Sequence, residues 1–362
     1  MTNPRTRVAA LVAAALSTTL ALSACGSGSD GGGSGGGGGG GAEDAKIAFL
    51  MPDLASTRYE QYDSPLFKKK IAELCPGCEV IYQNADSDAS KQQQQADSAL
   101  AQGVKALVID PVDSAAAATI VQTAQSQDVP VIAYDRPIPK IPADYYVSFD
   151  NEKIGALIGQ SLVDDLKATK AEGGILQVNG SPTDAAAGLI KKGIHSAIDP
   201  SGIDLLAEYD TPDWQPEKAQ SWVSGQITKF PDQIAGVVAA NDGTGGGAIA
   251  AFKAAGVTVP PVTGNDAELA AAQRILAGDQ YNTISKPIKT VAEAAAVVAY
   301  DFAQGKTPKG KATLFDTPSQ LFTPEVVTRD NIKEALFDSG ALEAADVCTG
   351  EYAKACTELG IS

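Results

Sequence analysis

Val129-Pro130-Val131-Ile132-Ala133-Tyr134-Asp135-Arg136-Pro137 is an apolar run that stops on an acid–base pair. A run without polar alternation reads as a strand buried on both faces, the condition of a parallel sheet covered by helices. Outward from it the same pattern repeats at Lys46–Met51, Glu79–Tyr82, Ala106–Ile109, Tyr145–Phe149, Gly174–Val178, Asp204–Tyr209, Ala235–Ala239, Val262–Gly264 and Asn282–Ser285. Helical patterns separate most of these runs, among them Pro65–Leu74, Ser90–Gln102, Ala115–Gln125, Glu152–Leu166, Ala185–Ile198, Pro216–Thr228, Gly245–Ala255 and Asp266–Ala277. Strands alternating with helices build βαβ units. About ten strands exceed one compact domain, so the expected fold is α/β with two Rossmann-like lobes, each on a parallel sheet.

The balance of 28 Lys and Arg against 44 Asp and Glu gives a formal charge of −16. No basic run offsets it, which argues against a nucleic-acid partner. A single His makes a catalytic triad or a His-built metal centre hard to assemble.

The first 24 residues are expected to be a secretory signal: Arg5 and Arg7 precede the apolar run Val8 to Leu22. Leu22-Ser23-Ala24-Cys25 resembles the lipobox of bacterial lipoproteins, which implies acylation of Cys25 and anchoring to the outer face of the cell membrane. The alternative is an ordinary cleavage near Ala24 that leaves Cys25 a spare thiol. Gly26 to Gly41 is all Gly, Ser and one Asp, a tether with a reach of roughly 20–24 Å. Residues 25–44 are therefore read as anchor and tether. Losing the signal removes two positive charges and no acid, so the working globule is more acidic than the whole chain.

Cys75, Cys78, Cys348 and Cys356 remain, and outside the cytoplasm they read as two disulfides with three possible pairings. Cys75-Pro76-Gly77-Cys78 follows a helical stretch instead of opening one, which favours a structural over a redox role.

Ligands of open α/β sheets collect at the carboxyl ends of the strands. There the chain places Asp53, Arg58 and Tyr59; Asp110; Asp135 and Arg136; Asp150 and Asn151; Asn179 and Asp184; Asp213 and Trp214; Asn241 and Asp242; Asn265 and Asp266; and Lys286. Fixed acceptors, fixed donors and flat aromatic faces together suit a monosaccharide, whose hydroxyls both donate and accept and whose C–H faces stack on rings. Any one of these residues alone reads equally as a helix cap or a surface charge.

Their order is more telling. Ala133-Tyr134-Asp135-Arg136-Pro137, Tyr146-Val147-Ser148-Phe149-Asp150-Asn151-Glu152, Gly180-Ser181-Pro182-Thr183-Asp184, Asp213-Trp214-Gln215-Pro216-Glu217, Ala240-Asn241-Asp242-Gly243-Thr244, Gly264-Asn265-Asp266-Ala267-Glu268 and Lys286-Pro287-Ile288 follow one another over residues 45–320. In this the chain resembles the periplasmic sugar-binding proteins of ABC transporters (periplasmic binding protein type I), and within that family the D-xylose-binding type. The resemblance implies an N-terminal lobe of residues 45–149 plus 286–320 and a C-terminal lobe of 150–285 plus 321–362. It also implies a three-segment hinge near Asp150, Lys286 and Gln320. By motif it carries ligand contacts to Arg58, Tyr59, Asp135, Arg136, Asp184, Trp214, Asn241, Asp266 and Lys286. It further implies a monomer that hands its sugar to a membrane permease and needs no cofactor, metal or catalytic residue. Two positions depart from the family: Tyr59, often Trp there, and Ala185-Ala186-Ala187, where polar residues can follow the Ser-Pro-x-Asp motif.

Other readings of the same residues are weaker. Another aldose, or a receptor that signals to a sensor protein, would use the same scaffold. Gly243 to Ala248 formally fits a dinucleotide-binding glycine pattern with Asp266 downstream, which would make an NAD-dependent enzyme, but it falls late in the chain and after Asn241-Asp242. Asp86, Asp88, Ser90, Gln92, Gln94 and Asp97 have calcium-loop spacing, but Lys91 stands where Gly is needed. Gly305-Lys306-Thr307 lacks the upstream Gly of a phosphate loop, and His195 falls in a helical stretch.

Overall fold

The computed structural model describes residues 43–362; the proposed signal, Cys25 and the tether lie outside the described residues. Strands β1 (Lys46–Met51), β2 (Glu79–Asn84), β3 (Ala106–Ile109), β4 (Val131–Tyr134) and β5 (Tyr145–Phe149) follow the apolar runs of the sequence and pair in parallel. They supply five strands of a seven-stranded sheet in the order β10-β11-β5-β4-β3-β1-β2, completed beside β5 by β10 (Ala312–Leu314) and β11 (Thr317–Phe322). Along β1 successive residues serve opposite faces: Ile47 and Phe49 join one core, Ala48 and Leu50 the other. Both faces are covered, so every residue of β3 and β4 is buried.

The second sheet starts from β6 (Gly174–Asn179), flanked in parallel by β7 (Leu205–Asp210) and β8 (Ile234–Ala239). The expected strand at Val262–Gly264 is reduced to a single bridge, Val262 to Val237. That segment still joins β8 to the antiparallel pair β9 (Asn282–Ser285) and β12 (Glu325–Thr328), because the Tyr281 amide donates to the Val262 carbonyl at 2.9 Å.

The helices are α1 (Ser64–Leu74), α2 (Ala89–Ala101), α3 (Ala118–Gln125), α4 (Asn151–Thr169), α5 (Ala185–Ile198), α6 (Pro216–Lys229), α7 (Asp242–Ala255), α8 (Leu269–Ala277) and α9 (Ile288–Ala303). Asp88, Asp150, Asp184 and Asn241 cap α2, α4, α5 and α7, each accepting a backbone amide of the first turn. Two helices start later than the sequence suggests. Asp113 takes the amides of Ala115 and Ala116, both at 2.8 Å, which holds those residues in a turn ahead of α3. Asp266 and Ala267 have φ of 105° and 52°, which no helix accommodates, so α8 begins at Leu269.

The chain passes between the two sheets three times, between β5 and α4, between β9 and α9, and between β11 and β12. Gln320 is not at the third passage: it lies inside β11, opposite Val147, and the chain leaves the first sheet only after Phe322. Beyond β12 a helical tail packs on α8 through Leu336, Val347 and Cys356. Cys75 is bonded to Cys78, and Cys348 to Cys356.

Candidate functional site

The strand ends of the two sheets face a shared cavity with about 350 Å3 of atom-free space, its open mouth included. That is the small end of the roughly 300–1,000 Å3 typical of small-molecule sites. All nine residues singled out by motif line it: Arg58, Tyr59, Asp135, Arg136, Asp184, Trp214, Asn241, Asp266 and Lys286. Ser56, Asn151, Ala186, Ile190 and Asn265 complete the wall. Asn151 and Asn265 belong to the polar fringe of the strand ends without being among the nine; Ala186 is one of the positions that depart from the family pattern, and Ser56 and Ile190 carry no sequence signal of their own.

Arg58 follows β1 and is 3% exposed, as buried as a core residue. Its guanidinium grips Asp63 through two bonds, Nε to Oδ2 at 3.1 Å and Nη2 to Oδ1 at 2.9 Å, and Tyr134 donates its hydroxyl to the same carboxylate. This fixes the remaining nitrogen, Nη1, at 3.3 Å from Asp135 and 3.7 Å from Asp266. Lys286, just past β9, stands 2.7 Å from Asp266 and 3.9 Å from Asp135. Two cations and three carboxylates, Asp63, Asp135 and Asp266, thus form one buried net.

Arg136 builds a second net. It reaches Asp53 at 2.7 Å and Asp110 at 3.3 Å on the first sheet, and Asp184, from the second, at 3.2 Å. Asp184 is shared again: one oxygen caps α5 through the Ala186 amide, and the other accepts the Trp214 indole N–H at 3.0 Å. The indole is thereby oriented with its polar edge used and its ring face left for apolar contact.

Burial alone would discharge these groups, and for Arg58, Lys286 and Asp135 the neighbours decide otherwise. Burial works against the charges of Arg58 and Lys286, but the facing aspartates hold both above their ordinary values. Burial likewise opposes ionisation of Asp135, yet Arg58, Lys286 and Arg136 bring it below the usual carboxylate range. Asp110 and Asp184 are pushed up by burial, which Arg136 only partly offsets. Six acidic groups surround three cations in these nets. Such a site suits a neutral polyhydroxyl compound and resists an anion. Asn265 lines the cavity, and its Oδ1, sealed from solvent, accepts no hydrogen bond among the described residues.

Three of the lining residues, Asp135, Trp214 and Asp266, have φ of 57°, 56° and 105°. Left-handed backbone is costly for residues other than Gly and is retained where the surroundings impose it. At Asp135 the surroundings are explicit: its carbonyl accepts from the Tyr146 hydroxyl at 2.7 Å and the Ser148 hydroxyl at 2.9 Å.

A periplasmic binding protein domain model matches residues 47–307. This chain belongs to the periplasmic binding protein family. Membership implies an extracytoplasmic location. Among relatives of this family member, the D-xylose-binding periplasmic protein of Escherichia coli is 35% identical over 308 residues, covering 83% of this chain and 91% of that protein. The D-xylose-binding periplasmic protein of Haemophilus influenzae is 34% identical with the same coverage. Among solved structures, a carbohydrate transporter solute-binding protein from Chloroflexus aurantiacus in complex with D-glucose superposes with a TM-score of 0.76 at 27% identity, covering 83% of this chain and 97% of that one.

Other readings of this periplasmic binding protein lose their geometry. The glycines of the dinucleotide-like pattern lie within α7, where Gly247 lets α6 approach: a Cβ there would fall 2.3 Å from the Pro216 carbonyl oxygen. Ser90, Gln92, Gln94 and Asp97 lie along α2, and Gln92 spends its side chain on the Asp110 carbonyl and the Val112 amide. His195 faces Asp199 and Glu208 on the surface of α5, away from the cavity lining.

Proposed function

We propose that this protein captures a monosaccharide, D-xylose in the first instance, between two lobes built on the two sheets, and delivers it to an ABC-transporter permease. The observation that carries the reading is the cavity itself: residues from eight separate strand ends and loops converge on one small space that alternates fixed donors, fixed acceptors and two aromatic rings. Arg58, Asp135, Asp266 and Lys286 supply charge-assisted bonds to ligand hydroxyls, Arg136, Asp184 and Asn241 add further polar contacts, and Tyr59 with Trp214 brackets the ring. The identity to D-xylose-binding relatives supports the choice of sugar. The passages after β5, β9 and β11 serve as the hinge, so closure excludes water from the bound sugar. The charged groups are paired with one another instead of being held as a free acid and base, and we place no covalent chemistry in the site. Cys25 carries the lipid and residues 26–41 the tether, in this reading.

Titration calorimetry of the purified protein against a panel of aldoses tests the proposal. Micromolar or tighter binding of a pentose is expected; no binding by any pentose or hexose overturns it. A second reading, another aldose on the same scaffold, is favoured by Ala185-Ala186-Ala187, which lack the polar side chains that relatives can place there.

A further inference from the structure

We propose that Ala186 and Ile190 form a specificity-determining wall that accepts a ring methylene or a methyl group and rejects a hydroxymethyl. The ligand class is then the aldopentopyranoses and 6-deoxyaldohexoses. This deepens the monosaccharide reading above and rests on it.

Ala186 and Ile190 are four residues apart on α5, so both side chains fall on one helix face, and both line the cavity. Ile190 and Trp214 belong to one contiguous apolar cluster. The polar groups at this end of α5 are already engaged with one another. The Ala186 amide is bound to Asp184 Oδ1 at 2.7 Å, and the Ala185 amide to the Ser114 hydroxyl at 3.1 Å. Asp184 Oδ2 holds the Trp214 indole at 3.0 Å and Arg136 at 3.2 Å. A ligand hydroxyl brought against the Ala186 and Ile190 side chains gives up water and meets no donor or acceptor on either, whereas a C–H group loses nothing there.

A sugar series with one ring stereochemistry isolates the effect: D-xylose, 6-deoxy-D-glucose and D-glucose differ only at C5, which bears hydrogen, methyl or hydroxymethyl. Calorimetry on the purified protein is expected to give 6-deoxy-D-glucose an affinity within about tenfold of D-xylose, and D-glucose a further loss of about tenfold or more, the size of an unmatched buried hydroxyl. Equal affinities for 6-deoxy-D-glucose and D-glucose overturn the wall while leaving the monosaccharide reading intact. Failure of all three to bind, with another aldose binding, also overturns it; failure of every aldose sinks the reading beneath it. Ala186→Ser, which places a hydroxyl in the first turn of a helix where Ser is well tolerated, is expected to narrow the gap between 6-deoxy-D-glucose and D-glucose at least threefold; an unchanged gap counts against the proposal.

Discussion

Trp214 lies directly over Gly180: a Cβ at position 180 would fall 2.1 Å from two atoms of the indole ring. The glycine just past β6 therefore sets the height of the aromatic face in the cavity. Gly180→Ala is expected to displace the ring, changing tryptophan fluorescence and weakening sugar binding about tenfold or more while the circular dichroism of the fold is kept. Unchanged binding would mean that the indole face is not a ligand surface.

Asp266 is held between Lys286 and Arg58 and couples residues from both sheets. Asp266→Ala leaves Arg58 with Asp63 and Asp135, but leaves the buried Lys286 only the more distant Asp135, at 3.9 Å. Sugar affinity is expected to fall at least tenfold, in keeping with about 1–3 kcal/mol for a lost charge-assisted bond. Wild-type affinity in this variant would misplace the site.

Asp242 and Glu268 make a pH-sensitive pair behind the cavity, where the Glu268 amide donates to Asp242 Oδ2 at 3.0 Å. Burial, with Asp266 nearby, pushes Asp242 up to about 7 and Glu268 up to about 8. The folded state then holds protons that the unfolded chain has already released above about pH 4. The contribution of this pair to stability accordingly falls as pH rises from about 4 to about 8 and is flat above. Glu268→Gln removes one ionisation, so its Tm relative to the native protein is expected to be at least about 2 °C higher at pH 8 than at pH 5. An offset that does not change with pH would contradict the assignment.

The bond between Cys348 and Cys356 closes a loop of sequence separation 8 in the tail that packs on α8. Replacing both by Ala is expected to cost about 2–3 kcal/mol of stability. Hydrogen exchange should rise first in residues 344–361. Sugar affinity should stay within twofold, because neither cysteine lines the cavity; a larger loss would show that the tail supports the site.

Cys25 lies outside the described residues, and its test is cellular. Cys25→Ser is expected to release the protein from membranes into the soluble fraction, and retention would refute lipid anchoring.

What was legible in the sequence was whatever a strand end announces. Val131–Tyr134 is buried on both faces, so it reads as an apolar word, and Asp135-Arg136 marks where the word stops. The same rule located Arg58, Asp184, Asn241, Asp266 and Lys286. It failed where the chain is short or half-covered: β10 and β12 have three and four residues with exposed positions, and β11 contains Pro318, so none reads as a strand. Ile190 is illegible for the opposite reason, and Ala186 stands out only as a departure from the family pattern. An apolar residue on a helix facing a ligand looks the same as one facing a core, and only the position of the cavity separates them.

The left-handed backbone at Asp135 and Asp266 constrains how this binding site can diversify. Few side chains tolerate that conformation, and Asn is among the best of them. The least disruptive single substitution at either position therefore exchanges a carboxylate for a carboxamide of the same shape. Drift at these two sites is steered toward altering the charge a ligand meets while leaving the outline of the pocket alone, so descendants of this protein would acquire new ligands by electrostatic preference sooner than by size.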